Sequence, residues 1–315
     1  MIDNSNILKR LTNKWHKRAG IYNQPFPLYQ QPNNASCQVD ATDRPPYPES
    51  LVPFIGHPDY QKASDSQKRY VLDLCWIAYN ERVVASEEYI ACPAFAMILQ
   101  GVFPGAESYE MKKALQQCLI DEYFHSLMHT TAIEQAYQQT ANHQTIKIPN
   151  SIIYSHLKNL QSHKEEWQKQ ILTLLWTIIS EISVNAYLEL LSEDQTIKHE
   201  NRKLVWIHNR DEYAHSKITV EIMKHIYYKM DDKSKQFLVD NIPNSIIAFS
   251  LRDNSAFDYI LKSANIKNYQ SILYDISLNK EKNKLLRDFR WIYKLLDNLE
   301  IKIDHDRLLE YGIVC

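Results

Sequence analysis

Glycine is nearly missing from this chain, with 5 residues in 315. Tight β-hairpin turns depend on residues that tolerate positive φ, so a sheet-rich fold is short of its usual turn material. Cysteine is sparse as well. Cys37, Cys75, Cys92, Cys118 and Cys315 are odd in number and scattered, with no Cys-x-x-Cys pair, which disfavours a disulfide framework or a zinc ribbon. Neither sign of charge dominates: 36 basic residues stand against 38 acidic ones, so nothing electrostatic points to nucleic acid or an anionic membrane as partner. The longest mostly apolar stretch, Ile171 to Ile179, is too short to span a bilayer, and the opening MIDNSNILKRLTNKWHKR holds no signal-peptide core. A Gly-rich phosphate loop, an internal repeat and a low-complexity tract are also absent. Together these absences lead to the expectation of a reduced, cytoplasmic setting without a membrane.

What the chain does contain is Leu, Ile, Lys, Glu, Gln and Ala in quantity, which predicts an all-α fold. Residues 1–65 read as an irregular N-terminal strap, because after a short basic amphipathic start the prolines crowd together at Pro25, Pro27, Pro32, Pro45, Pro46, Pro48, Pro53 and Pro58. Residues 66–315 read as the helical part of one compact domain. A first helix is expected from about Ser66, interrupted by Pro93 and by the Phe103-Pro104-Gly105 turn. A second runs from near Glu107 to Gln139, and a polar connection over 140–165 follows as a crossover. Two more are expected over Glu165 to Leu191 and Asn201 to Met230, with shorter amphipathic stretches (Ser245 to Ala264, Asn268 to Ile276, Lys280 to Leu299) as buttressing C-terminal helices.

Residues three or four apart share a helix face, so ionisable groups on otherwise apolar stripes stand out. In the first helix Glu87 interrupts the face of Leu72, Trp76, Tyr79, Val83 and Ile90. In the second, Glu122 and His125 continue the stripe of Met111, Leu115 and Cys118. In the third, Glu181 sits between Ile178 and Asn185, and in the fourth His208, Glu212 and His215 lie between Val205 and Ile222. An uncompensated buried carboxylate costs several kcal/mol, so four of them on inward faces call for cations. Two metal ions bridged by carboxylates would satisfy all four, and imidazole with carboxylate suits iron or manganese better than structural zinc. One Glu on each of two helices with a Glu-x-x-His pair on each of the others is the pattern of ferritin-like four-helix bundles. A lone Glu-x-x-His would arise about once by accident in such a chain. It is the order of the residues and their stripes that outweighs the bland alternative of ordinary ion pairs or solvated charges.

The segment VWIHNRDEYAHSKI, with His208-x-x-x-Glu212-x-x-His215, and the segment LIDEYFHSLMH, with Glu122 and His125, resemble a known family. They are similar to the diiron arylamine N-oxygenases, typified by the p-aminobenzoate N-oxygenase of aureothin biosynthesis, in which a third histidine precedes the second Glu-x-x-His by one turn. The lone Glu87 in YNERVVASEE and Glu181 fall where that family carries its other glutamates, and Glu88 is the rival to Glu87. The resemblance spans about residues 65 to 230. It implies Glu87, Glu122, His125, Glu181, His208, Glu212 and His215 as metal ligands. Tyr79, Arg82 and Asn185 become candidates for a substrate pocket, and Asp121 for a hydrogen bond to a ligand histidine. His129, one turn beyond His125, reads as a core histidine rather than a ligand. Arg287 and Arg290 fit surface salt bridges better than an anion site.

What the resemblance implies chemically is a pair of iron ions, with a manganese or mixed pair left open, and dioxygen as co-substrate held as a peroxo species. The reaction would carry an amine of a small molecule through hydroxylamine and nitroso stages to a nitro group. Electrons would come from outside, from a ferredoxin or reductase, because no flavin, haem or iron-sulfur motif is present. A homodimer also follows from the resemblance. The alternatives are a diiron hydroxylase, desaturase or oxidative-cleavage enzyme acting on carbon, a non-catalytic ferritin-like metal-binding module, and a metal-free helical interaction protein.

Overall fold

The computed structural model describes residues 5–23, 44–139, 151–251, 254–279 and 288–313. Among these residues every regular element is helical: α1 (Ser5–Arg18), α2 (Gly20–Asn23), a 3-10 turn (Glu49–Leu51), α3 (Pro58–Gln61), α4 (Asp65–Ser86), a π-helical turn (Glu87–Ala91), α5 (Cys92–Leu99) and α6 (Tyr109–Gln139). After these come α7 (Ser151–Ser162), α8 (Glu166–Ser183), α9 (Asn185–Glu193), α10 (His199–Lys229), α11 (Asp232–Ser250), α12 (Asn254–Ser263), α13 (Tyr269–Leu278), α14 (Arg290–Asn298) and α15 (His305–Glu310).

Two apolar clusters hold these helices together. One gathers Ile90, Phe95 and Ile98 with Met111, Leu115 and Cys118 of α6, Ile171 to Ile182 of α8, and Ile218, Ile222 and Ile226 of α10. The other gathers Val71 to Tyr79 of α4 with Phe124, Met128 and Ala132 of α6, Leu188 and Leu191 of α9, and Leu204, Val205 and Ile207 of α10. α6 and α10 each contribute one end to each cluster, while α4 with α5 and α8 with α9 do so as pairs. Followed along the chain, α4 and α5 run from the second cluster to the first and α6 runs back. The α8–α9 pair starts again at the first cluster and α10 returns. Since α6 and α8 point the same way, a short loop cannot join them. Of the connection expected over 140–165, the described part contains α7, and residues 140–150 lie outside the described residues.

Local signals set the boundaries. Ser64 caps α4 in a capping box with Gln67, whose backbone N–H reaches Ser64 Oγ at 3.2 Å, so two of the unpaired N-terminal donors are satisfied. Pro93 does not end the first helix as the sequence suggests. The chain widens into the π turn instead, with the Cys92 N–H bonding to Glu87 O, and continues into α5. Proline has no N–H to give to the preceding turn, and Thr177 Oγ1 donates to the carbonyl of Ile90 at 2.8 Å, so an acceptor in the wound-out turn is satisfied. The expected unbroken helix from Glu165 to Leu191 is corrected too, because it breaks at Val184 into α8 and α9. The irregular strap expected over 1–65 opens with α1, whose Leu8 packs in the first cluster.

The span Glu166–Glu193 is long and apolar enough to cross a membrane, yet 83% of its most apolar window is buried inside the protein. Its apolar surface is taken up by the core. Helices α11 to α15 pack outside the four long ones, the stretch expected over Ser245 to Ala264 is divided between α11 and α12, and residues 280–287, Arg287 among them, lie outside the described residues.

Gly105 closes the turn before α6 at φ +100, and a Cβ there would stand 2.8 Å from the carbonyl carbon of His225. Gly105→Ala should combine left-handed strain with overlap against α10 and lower stability by about 2–4 kcal/mol. Urea unfolding checks this; a midpoint equal to that of the parent would contradict it.

Candidate metal centre

Between the two apolar clusters the four long helices turn polar side chains inward. Glu87 comes from the π turn, Glu122 and His125 from α6, Glu181 from α8, and His208, Glu212 and His215 from α10, and all seven are buried. The regular turns of α4 set the face on which Glu87 lies, and the π turn after it rotates the chain that follows by about 100°. Its rival Glu88 faces solvent. The donor atoms fall into two groups, each within 4.8 Å: Glu87, His125 and His208 in one, Glu122, Glu181, Glu212 and His215 in the other. Glu122 and Glu212 link them. His125 Nδ1 lies 3.1 Å from Glu122 and 3.4 Å from Glu212, while His215 Nδ1 lies 2.8 Å from Glu122 and 3.1 Å from Glu212. His208 Nε2 completes the cluster, 3.5 Å from Glu87 and 3.4 Å from Glu212.

The protonation pattern shows how crowded this is. Burial, together with Glu122 and Glu212, raises Glu87 well above the carboxylate range, and burial with Glu212 and Glu122 does the same to Glu181. Burial also opposes ionisation of Glu122, but His215 and His125 outweigh it and hold that carboxyl well below its usual range. His125 rises to about 10 in spite of burial, through Asp211 and Glu122. His208 is lowered by burial and by the neighbouring His125. Four carboxyls in one dry pocket cannot all ionise, so protons are shared among them. Glu122 Oε1, Glu181 Oε2 and His208 Nε2 still lack a hydrogen bond although buried. Bare donor atoms aimed into a common space are what divalent cations require, and the residues fit a two-metal centre.

An outer layer fixes the imidazoles. Asp121 Oδ2 meets His215 Nε2 at 3.1 Å, and Asp211 Oδ2 lies 3.5 Å from His125 Nε2, so each helix supplies the aspartate that faces the other helix's histidine. Both aspartates are fully buried and held from the N-terminal segment. Trp15 Nε1 donates to Asp121 at 2.9 Å, Arg18 Nη1 to Asp211 at 3.3 Å, and the backbone N–H of Gly20 to Asp211 at 2.8 Å. On the other side His129 Nε2 meets His208 Nδ1 at 2.9 Å, and His129 Nδ1 meets Asn80 Oδ1 at 2.6 Å.

Asp121 lies against the imidazole of His215, and Asp211, which the spacing does not single out, lies against that of His125. The signal was there: Asp121-Glu122-Tyr123-Phe124-His125-Ser126 and Asp211-Glu212-Tyr213-Ala214-His215-Ser216 differ at one position. Trp15, Arg18 and Asn80 carry no such signal, since their partners lie far away in the chain.

Comparison with known proteins agrees with this geometry. The family model described as p-aminobenzoate N-oxygenase AurF matches residues 2–300. The chain belongs to that N-oxygenase family. It is also 33% identical over 296 residues to the 4-aminobenzoate N-oxygenase of Streptomyces thioluteus, covering 94% of this chain and 86% of that protein. The matched range includes α1, whose Trp15 and Arg18 contact Asp121 and Asp211. The remaining residues singled out for a pocket separate in space. Tyr79 is buried against Trp76 and His129, with ring centroids 5.4 and 5.7 Å away. Arg82 is half-buried one turn on. Asn185 leaves the stripe of Glu181 because of the break at Val184, donates to Asn209 Oδ1 at 2.9 Å, and lines an outer cleft of about 1030 Å³ with Ser216 and Lys217. Arg290 borders that cleft and pairs with Asp288 at 2.7 Å, as a surface salt bridge would.

If α1 and α2 hold the aspartates, Trp15→Phe should keep the packing but lose the donor to a buried carboxylate, at a cost of about 2 kcal/mol. Gly20→Ala should cost about 1–3 kcal/mol, since its Cβ would lie 2.7 Å from Ile207 Cγ2 and 3.0 Å from Asp211 Oδ2. Thermal unfolding measures both, and two parent-like midpoints would remove the N-terminal helices from the account.

Proposed function

We propose that this chain is a dioxygen-dependent diiron oxygenase that oxidises the nitrogen of an arylamine. The observation that carries the proposal is the convergence of four buried glutamates and three histidines, His208 among them, in a chain of the N-oxygenase family. Glu87, Glu122, His125, Glu181, His208, Glu212 and His215 would hold the two ions, with Glu122 and Glu212 placed to serve both. Iron bound there supplies the redox chemistry by which one atom of dioxygen reaches nitrogen and the other leaves as water. Conversion of an amine to a hydroxylamine consumes one dioxygen, two electrons and two protons, so the enzyme needs an external donor, a ferredoxin or a reductase.

The protein's own contribution is charge, orientation and dryness. Four carboxylates offset four positive charges, keeping the loaded centre near neutrality inside an apolar core. Asp121 hydrogen-bonds the ring of His215 and Asp211 faces His125 Nε2 at 3.5 Å, and each ring turns its Nδ1 to the centre. The apolar clusters above and below exclude water. Tyr79 and Arg82 are the candidates for the substrate wall near His208, and Asn185 for the outer cleft. The three buried free cysteines, Cys75, Cys92 and Cys118, suit a reduced cytoplasmic compartment.

Protein reconstituted with ferrous iron should hold two ions per chain and, given reductant and dioxygen, convert an arylamine such as 4-aminobenzoate to its nitro product, followed by absorbance. Oxidised carbon products alone, or ferrous oxidation with no organic product, would refute nitrogen as the site of attack. Manganese in protein isolated from cells would overturn the choice of iron. Metal uptake should also depend on pH. The metal-free site keeps protons on Glu87, Glu181 and His125, and ligands must shed them to bind. Affinity should therefore fall as pH drops from about 8 to about 6, with proton release visible by calorimetry in buffers of different ionisation enthalpy. Uptake that ignores pH would contradict this ligand set.

A further inference from the structure

His129 and Asn80 form a buried chain behind His208 that the proposed chemistry leaves unused. Both are fully buried. Asn80 Nδ2 donates to the carbonyl of Trp76 at 2.6 Å. A carbonyl oxygen can only accept, so the amide orientation is fixed and Asn80 presents Oδ1 to His129. At 2.6 Å from that acceptor, His129 Nδ1 has to carry the proton. In a neutral ring the other nitrogen is then a bare acceptor. His129 Nε2 lies 2.9 Å from His208 Nδ1, which must donate. That leaves His208 Nε2 with its lone pair directed toward Glu87 and Glu212, at 3.5 and 3.4 Å.

We infer that the Asn80–His129 pair is a positioning device that sets the tautomer and ring orientation of His208, holding Nε2 ready to bind a cation. It does for His208 what Asp121 and Asp211 do for His215 and His125, but with a neutral partner. A carboxylate behind the ring would add a negative charge to a pocket already holding four. A neutral imidazole backed by an amide orients without adding charge, and Tyr79, whose ring centroid lies 5.7 Å from that of His129, closes the pocket around it. The inference rests on the two-metal reading above.

Anaerobic titration of the metal-free protein with cobalt(II), followed by its visible bands, tests it. The parent should take two equivalents, and His208→Ala should lose or greatly weaken one of them. His129→Leu should weaken the same equivalent by about 10- to 100-fold, leaving the other within about threefold. His129→Gln should restore it to within about threefold of the parent, since a glutamine can accept from His208 and donate to Asn80. Leu added to the His208→Ala background should change nothing more. Should the leucine variant fail to fold, His129→Asn, polar but too short to reach both partners, takes its place. Leucine and parent titrations that superimpose, a glutamine variant as weak as leucine, or a leucine effect that survives in His208→Ala would each overturn the inference. A parent that binds no pair of ions overturns the two-metal reading itself, a separate failure.

Discussion

Four glutamate side chains share one buried pocket between two apolar clusters, and the rest of the structure answers to that crowding. Removing a carboxylate from water costs several kcal/mol even after relaxation, and like charges at close range add to it. Among the described residues the imidazoles beside these glutamates are His125, His208 and His215, and of the three His125 and His215 are raised toward the charged form. Without metal the pocket settles by keeping Glu87 and Glu181 protonated while Glu122 and Glu212 stay ionised beside imidazoles. Divalent cations would replace these shared protons with stronger, directional bonds.

The surrounding fold supplies what such a pocket needs. Regular turns of α4 bring Glu87 onto the inner face, and the π turn after it lets the chain pass Pro93, while Thr177 satisfies the carbonyl of Ile90. The long crossover allows α6 and α8 to run in the same direction, so that Glu122 and Glu181 can approach from neighbouring helices. Helices α1 and α2 lie across α6 and α10 and hold Asp121 and Asp211 through Trp15, Arg18 and the Gly20 N–H. Each ligand-facing imidazole has a partner on its far side, an aspartate for two of them and His129 for the third. Orientation is thus built in before any cation arrives.

How much of this is legible in the sequence depends on the range of the interaction. The all-α class follows from composition, and the inward glutamates follow from helical periodicity, because a charged residue on an apolar stripe is visible within a dozen residues. The end of α10 at Lys229 agrees with the boundary expected from the pattern to within one residue. The break at Val184 is hidden because ISVNAYL keeps an apolar period through it, and this is why Asn185 seems to share a face with Glu181. The π turn is hidden for the opposite reason: Pro93 signals a stop, and only tertiary support from Thr177 shows that the helix passes through. Trp15 and Arg18 sit over 100 residues from their aspartates, so no local pattern could reveal them. His129 reads from the sequence as a core histidine one turn beyond His125, and its contact with His208 appears only in three dimensions.

Anomalous diffraction from iron-loaded crystals measures the central claim directly. Two iron peaks about 3–4 Å apart, bounded by Glu87, Glu122, His125, Glu181, His208, Glu212 and His215, are the predicted result. A single peak, or ions bound elsewhere with the four glutamates left unligated, would contradict it.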